Sequence, residues 1–183
     1  MSVLKDVQTQ NILVGKNMLY RVSIKGNDFD LPYKKIGNNI IAFLDISGQF
    51  KLIELCADVL VEQLIEKNIQ FDSIVNPVSK SNAVAHAIAV RWAKRHDFSA
   101  TVVARKNLGS TGTENAKSVS YTSVTTQAVQ NLSLTAGDSD FIKGKKVLLV
   151  DDVFASGGTF GALQELVLAS GAEVAAKAVI AVE

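Results

Sequence analysis

Lys146-Val-Leu-Leu-Val-Asp-Asp-Val-Phe-Ala-Ser-Gly-Gly-Thr159 is the stretch on which the reading of this chain turns. Four apolar residues, Val147 to Val150, predict a strand buried on both faces. Two carboxylates, Asp151 and Asp152, follow at once. Next come Ala155, Ser156, Gly157, Gly158 and Thr159, small residues that open into a helical run from Phe160 to Leu168. A strand, an acidic pair, a small-residue loop and a helix start together form a cradle for a phosphorylated sugar. Backbone N–H groups at a helix N-terminus receive phosphate, and glycines let the backbone come close. The acidic pair falls where ribose hydroxyls, or a metal bridging them, would lie. Buried strands seldom end in adjacent carboxylates unless something cationic or hydroxylated meets them. The pattern Gly-x-x-x-x-Gly-Lys-Ser/Thr is absent, so the loop is not a Walker A loop.

Working outward from this stretch, the same alternation of strand and helix recurs. Phe50, Ile53, Cys56, Leu60 and Leu64 keep three- and four-residue spacing from Ser47 to about Lys67, which predicts an amphipathic helix. Phe71 to Pro77 reads as a short strand leading into the loop Val78 to Asn82, and Ala83 to about Arg95 as an alanine-rich helix. Ala100 to Ala104 is the next strand and ends in Arg105 and Lys106. Asn107 to Lys117 is a polar loop of mobile character, and Val119 to Thr126 with Val129 to Leu134 alternate as a hairpin. Thr135 to Gly144 reads as a loop, and Ala172 to Val182 as a last strand. The result is an α/β fold: a Rossmann-like parallel sheet flanked by helices, with ligands at the C-terminal strand ends. The first stretch is different. Leu19 to Ile24 alternates in period two, Lys25 to Asp28 supplies turn residues, Leu31 to Ile36 returns, and Ile40 to Leu44 is a further apolar run. Residues 1–46 are therefore expected to form a small β-rich cap, and 47–183 the core.

Composition narrows the function classes. A chain of 183 residues with 48% hydrophobic and 20% charged residues is long enough for a sizeable core. A net charge of +1 argues against general nucleic-acid or membrane binding. The single cysteine, Cys56, permits no intrachain disulfide or multi-cysteine metal site and falls in a helical pattern as a small core residue. No apolar run reaches membrane-spanning length and the first residues lack a signal-peptide core, so a cytoplasmic location is expected. His86 and His96 have no acidic partner at zinc-ligand spacing, and Trp92 reads as helix packing.

Three strand ends carry complementary chemistry. Ser79, Lys80 and Ser81 offer two hydroxyls and an ammonium to an anion; Arg105 and Lys106 add two cations; Asp151 and Asp152 close the third end. A phosphorylated, hydroxyl-bearing ligand fits this division, with cations for phosphates and carboxylates for hydroxyls and metal.

The strand, acidic pair and Ala155-Ser156-Gly157-Gly158-Thr159 together resemble the PRPP-binding motif of type I phosphoribosyltransferases. Ala104-Arg105-Lys106, the following loop and Ser120-Tyr121-Thr122 resemble the adenine- and xanthine-type purine enzymes, as does Phe43-Leu44-Asp45. The resemblance runs from about Ile40 to Glu183 and implies the type I phosphoribosyltransferase fold. It implies transfer of ribose 5-phosphate from PRPP to a nucleobase, with release of pyrophosphate, Mg²⁺ as cofactor and a homodimer as the assembly. Ala155 to Thr159 would hold the 5′-phosphate, and Asp151 and Asp152 the ribose hydroxyls and metal. Ser79, Lys80, Ser81, Arg105 and Lys106 would hold pyrophosphate, in a loop that often contains a cis non-proline peptide. A closing loop from Asn107 to Tyr121, including Lys117, would exclude water.

The chain also departs from the family pattern. Ser81 and Asn82 stand where a glycine is common, and Ser156 replaces a threonine but keeps a hydroxyl. Asn38 and Asp45 match base contacts. Glu183 stands where the xanthine-type enzyme has lysine; a carboxylate there would accept from an amino edge, which favours adenine, with xanthine next. Glu183 is equally the last residue, where a chain end frays. The alternative function is a PRPP-binding regulator without catalysis, although the first forty residues carry no helix-turn-helix pattern.

Overall fold

The computed structural model describes residues 7–98, 100–109, 113–122 and 129–182. Its centre is a four-stranded parallel sheet built from β5 (Ser73–Pro77), β6 (Ala100–Ala104), β9 (Lys146–Phe154) and β10 (Glu173–Val182), in the order β10-β9-β5-β6. The strands β5 and β9 are buried from end to end of their apolar runs, because helices cover both faces. One face packs Leu148 and Val150 against α1 (Phe50–Glu66) and α2 (Ser81–Trp92). The other packs Val147 and Leu149 against α4 (Gly158–Ala169) and the inner residues of β8 (Val129–Leu134). Side-chain alternation along β9 assigns these neighbours to opposite cores.

Arg91 fastens the two helices on the first face. Its guanidinium donates to Asp58 at 2.5 Å and to Glu54 at 2.9 Å, both on α1. At the far end of α2, Trp92 is fully buried and stacks between Phe71, 4.3 Å between ring centres, and His96 at 4.0 Å. Trp92 is a packing residue, as its place in an apolar helical pattern predicts.

The N-terminal part is a four-stranded antiparallel sheet in sequential order, β1 (Val7–Val14), β2 (Asn17–Ile24), β3 (Asn27–Ile36) and β4 (Asn39–Ala42). The predicted hairpin is β2 and β3, in register from Leu19 opposite Pro32 to Ile24 opposite Asn27. The sequence reading did not anticipate β1. Half of its residues are polar and most are exposed, so its extended form comes from pairing with β2 rather than from its own pattern. Ile24 and Ile46 are buried against the core, and Lys25 pairs with Glu62 of α1 at 2.6 Å, so the base of this sheet is anchored on α1.

The other difference lies between 135 and 144, where a loop was expected and α3 (Ala136–Ile142) forms. Thr135 accepts from the Asp138 backbone N–H at 3.1 Å, and Asp138 accepts from the Thr135 N–H at 3.2 Å, a capping box. Thr-x-x-Asp was the legible signal; the helix is too short for periodicity to show it. The expected hairpin forms as β7 (Lys117–Thr122) with β8, and its segment 123–128 lies outside the described residues. Cys56 is a buried thiol whose pKa burial pushes up to about 11, consistent with a core role. No helix among the described residues is long and apolar enough to cross a membrane.

Candidate functional site

β9 carries the site. Its buried run continues past Val150 into Asp151, which is 7% exposed, while Asp152 is half-buried. Each carboxylate folds back on the chain: Asp151 Oδ1 accepts from the Asp152 N–H at 2.9 Å and Asp152 Oδ1 from the Val153 N–H at 3.0 Å. Burial pushes the Asp151 carboxyl up to about 7, and the neighbouring Asp152 charge adds to this, while Lys106 pulls weakly the other way. A hydroxyl donor or a cation brought to Asp151 would return it toward the ordinary carboxylate range. Among the described residues no group of three or more His, Cys, Asp and Glu converges on a point. Two carboxylates alone suit a magnesium ion that takes its remaining ligands from phosphate, ribose and water oxygens, so the donor set fits the cofactor expected from the sequence.

The loop after β9 has the geometry of an anion cradle. Gly157 sits at the N-cap of α4 with φ +82°, and a Cβ there would meet the Phe154 ring at 3.1 Å. A Cβ on Gly158 would meet the Thr122 carbonyl oxygen of β7 at 3.2 Å. Both glycines are thus required, one by conformation and one by the close approach of a neighbouring strand. No side chain caps the N-terminus of α4, which leaves its first N–H groups directed at the loop. Ala155 and Ser156 are exposed there, and Thr159 is half-buried in the first turn.

The loop after β5 faces the same sheet edge. The Val78–Ser79 peptide is cis, and Ser79 and Lys80 are exposed. Ser81 is different: it is buried and its hydroxyl donates to the Pro77 carbonyl, so it builds the loop instead of facing a ligand. Asn76, which the sequence reading passed over, holds the same turn. Its buried amide donates to the Pro77 carbonyl at 3.2 Å and to Asn82 Oδ1 at 2.7 Å. A polar residue inside the apolar run Ile74-Val75-Asn76-Pro77 was the available signal.

The two cations after β6 part company. Arg105 bridges to Ser133 of β8 through its backbone, and its side chain pairs with Asp138 at the start of α3 at 3.1 Å. Lys106 is exposed and close enough to lower the Asp151 pKa. Of the pair, Lys106 is the one left exposed, and its charge is felt at Asp151. Lys117 and Tyr121, expected in a closing loop, lie in β7: Lys117 donates to the Ala169 carbonyl at the far end of α4, and the Tyr121 ring backs Gly158.

The expected base contacts are dispersed. Asp45 pairs with Lys80 at 3.5 Å and accepts from the Ser47 N–H at 3.1 Å. Hydrogen bonds from Ser47, and less strongly the Lys80 charge, hold its carboxyl below the ordinary range. Phe43 lies between two cations, 3.6 Å below Lys34 and 5.5 Å from Lys80, a contact not foreseen from the sequence. Asn38 sits in the β3–β4 turn, at the opposite end of β4 from Asp45. Glu183 lies outside the described residues.

Comparison with known proteins bears on the fold and the family. No curated protein sequence matches the chain. The structure is similar to adenine phosphoribosyltransferase from Saccharomyces cerevisiae, solved with adenine and an imino-altritol bisphosphate, with a TM-score of 0.67 and 21% identity over 84% of each chain. It is similar to the adenine enzyme of Thermoanaerobacter pseudethanolicus, with a TM-score of 0.62 and 19% identity over 84% of this chain and 95% of that one. A Francisella tularensis orotate phosphoribosyltransferase shares the fold more loosely, with a TM-score of 0.51 and 18% identity over 81% of this chain and 63% of that one. These likenesses establish a common fold. A family model for the phosphoribosyl transferase domain matches residues 50–182, from the first turn of α1 to the end of β10 and across every strand of the parallel sheet. The chain therefore belongs to the phosphoribosyltransferase family.

Proposed function

We propose that the protein transfers ribose 5-phosphate from PRPP to a ring nitrogen of a nucleobase, giving a nucleoside 5′-monophosphate and pyrophosphate. The observation that carries this reading is the buried Asp151 beside Asp152, followed within a few residues by the Gly157–Gly158 cradle at an uncapped helix start. In this reading the α4 N–H groups and the hydroxyls of Ser156 and Thr159 hold the 5′-phosphate. Asp151 and Asp152 accept from the ribose hydroxyls, and Ser79, Lys80 and Lys106 face the pyrophosphate. The base nitrogen donates its lone pair to C1′, the C1′–oxygen bond breaks with its electrons on pyrophosphate, and the ring N–H proton passes to solvent or pyrophosphate. The protein supplies no nucleophile; it aligns the reactants and balances separated charge. Magnesium, held through Asp151 and Asp152 or their bound hydroxyls, would supply charge neutralisation of pyrophosphate.

Residues 1–46 form the acceptor-side hood in this proposal, and 47–183 the catalytic core. Adenine, an amino-bearing base, is the expected acceptor, with the oxo-bearing xanthine next. Incubation with PRPP, Mg²⁺ and each common base, with pyrophosphate as the readout, tests the assignment. Release with adenine supports it. Tight PRPP binding with silence on every base would replace it with a PRPP-sensing role.

A further inference from the structure

A cavity of about 470 Å³ separates the inner face of the N-terminal sheet from the core. Phe29 and Leu31 form its roof, Leu52 and Leu60 of α1 one wall, and Val153 and Val182 the end nearest the strand termini. Val153 directly follows Asp152, so the cavity begins where the acidic pair ends. None of the described residues that line it carries a charged side chain. Its hydrogen-bonding side chains are the hydroxyls of Thr9 and Tyr20 and the thiol of Cys56, which burial keeps in its neutral form.

Size and lining point the same way. An apolar cavity of roughly 150 Å³ already accepts a benzene ring, so this one has room for a bicyclic base and a substituent beyond it. It also falls within the roughly 300–1,000 Å³ range of sites that enclose small molecules. A bare purine would leave much of the apolar wall uncovered, with the Thr9 and Tyr20 hydroxyls and the Cys56 thiol as the side-chain partners within reach of its polar edge. An apolar group attached to the base would cover that wall.

We propose that this cavity is the acceptor pocket, and that it takes a heteroaromatic base carrying an apolar substituent in preference to the bare base. The inference rests on the reading of the Asp151–Asp152 edge as the PRPP site. The transfer step is unchanged; the substituent contributes binding only, and a single methylene in such a pocket is worth about tenfold or more in selectivity.

The test measures pyrophosphate release from PRPP and Mg²⁺ with adenine and with N6-benzyladenine. The expected result is a kcat/KM for N6-benzyladenine at least about tenfold above that for adenine. Val59→Phe narrows the cavity from α1 and should bring that ratio to one or below, with PRPP affinity by calorimetry reporting that the variant is folded. If Val59→Phe does not fold, calorimetric titration of the wild-type protein with each base should give the same order of Kd. Turnover with adenine equal to or better than with N6-benzyladenine would overturn the inference and leave the phosphoribosyltransferase reading standing. Binding of N6-benzyladenine without its turnover, while adenine is turned over, would make the cavity a separate site and also overturn it. Absence of PRPP binding would remove the reading and the inference together.

Discussion

The two halves of this molecule are built by different means. At the β9 edge, a buried strand, an acidic pair, a left-handed glycine and an uncapped helix start all come from one continuous stretch, Val147 to Thr159. The space beneath the N-terminal sheet is assembled instead from separate surfaces of β1 to β4, α1, β9 and β10, none of which is a site alone. One site is polar and short in sequence; the other is apolar and made of distant parts.

The largest effect should come from breaking the polar half outright. Asp151→Asn together with Asp152→Asn should lower turnover by about a thousandfold, as loss of charge stabilisation in a closed site does. Retention of wild-type pyrophosphate release would sink the assignment of both acids.

The next test uses Asp151 as a pH probe of the unliganded protein. Its folded pKa, about 7, lies above the ordinary 3.8, so folding is favoured by the protonated form. That stability is fully present below pH about 4 and is lost as pH rises through about 7, because the unfolded chain then binds fewer protons than the native state. Denaturant titrations should show Asp151→Asn losing less stability than wild type between pH 4 and 8, by an amount on the order of a few kcal/mol. Equal slopes for the two proteins would mean that Asp151 is not desolvated.

Gly157→Val should cost about 1–3 kcal/mol, because a β-branched residue is strained at φ +82° and its Cβ would press on the Phe154 ring. The same change at Gly161, a helical position with open space around it, separates conformational strain from loss of helix propensity. A midpoint for Gly157→Val no lower than that for Gly161→Val would contradict the strained cradle.

The smallest effect joins the two halves. Asp45 holds Lys80 across them at 3.5 Å, with both side chains well exposed. Asp45→Asn frees Lys80 for the pyrophosphate side and should tighten PRPP binding by less than about fivefold, the scale of an exposed ion pair. Weaker binding in the variant would show that Asp45 supports the donor site instead of competing for Lys80.

Several of the structure's departures from the sequence reading share one cause. Arg105 and Ser81 are polar residues at the C-terminal edge of the parallel sheet, and by type alone each is a candidate ligand. Their side chains are engaged by neighbours that type cannot reveal: Asp138, 33 positions away, for Arg105 and the Pro77 carbonyl for Ser81. Asn76 shows the reverse. A lone polar residue in an apolar strand signals a required partner, and its partners prove to be the turn of the Pro77 to Asn82 loop. Lys117 and Tyr121 were expected in a closing loop, but both lie in β7, where pairing with Leu134 and Gln130 fixes them.

The sequence by itself determined the parallel sheet, the alternation of its strands with α1, α2 and α4, and the acidic pair followed by a glycine-rich helix start. Those depend on local rules: apolar runs that bury on both faces, turn-forming glycines, and carboxylates adjacent along the chain. Tertiary structure alone decided which cation faces the acids, how Asp45 and Lys80 meet, and the volume and apolar lining beneath the N-terminal sheet. A cavity is the space left between surfaces that pack imperfectly. Its size follows from how β1 to β4 rest on α1 through Ile24 and Lys25, contacts between residues tens of positions apart.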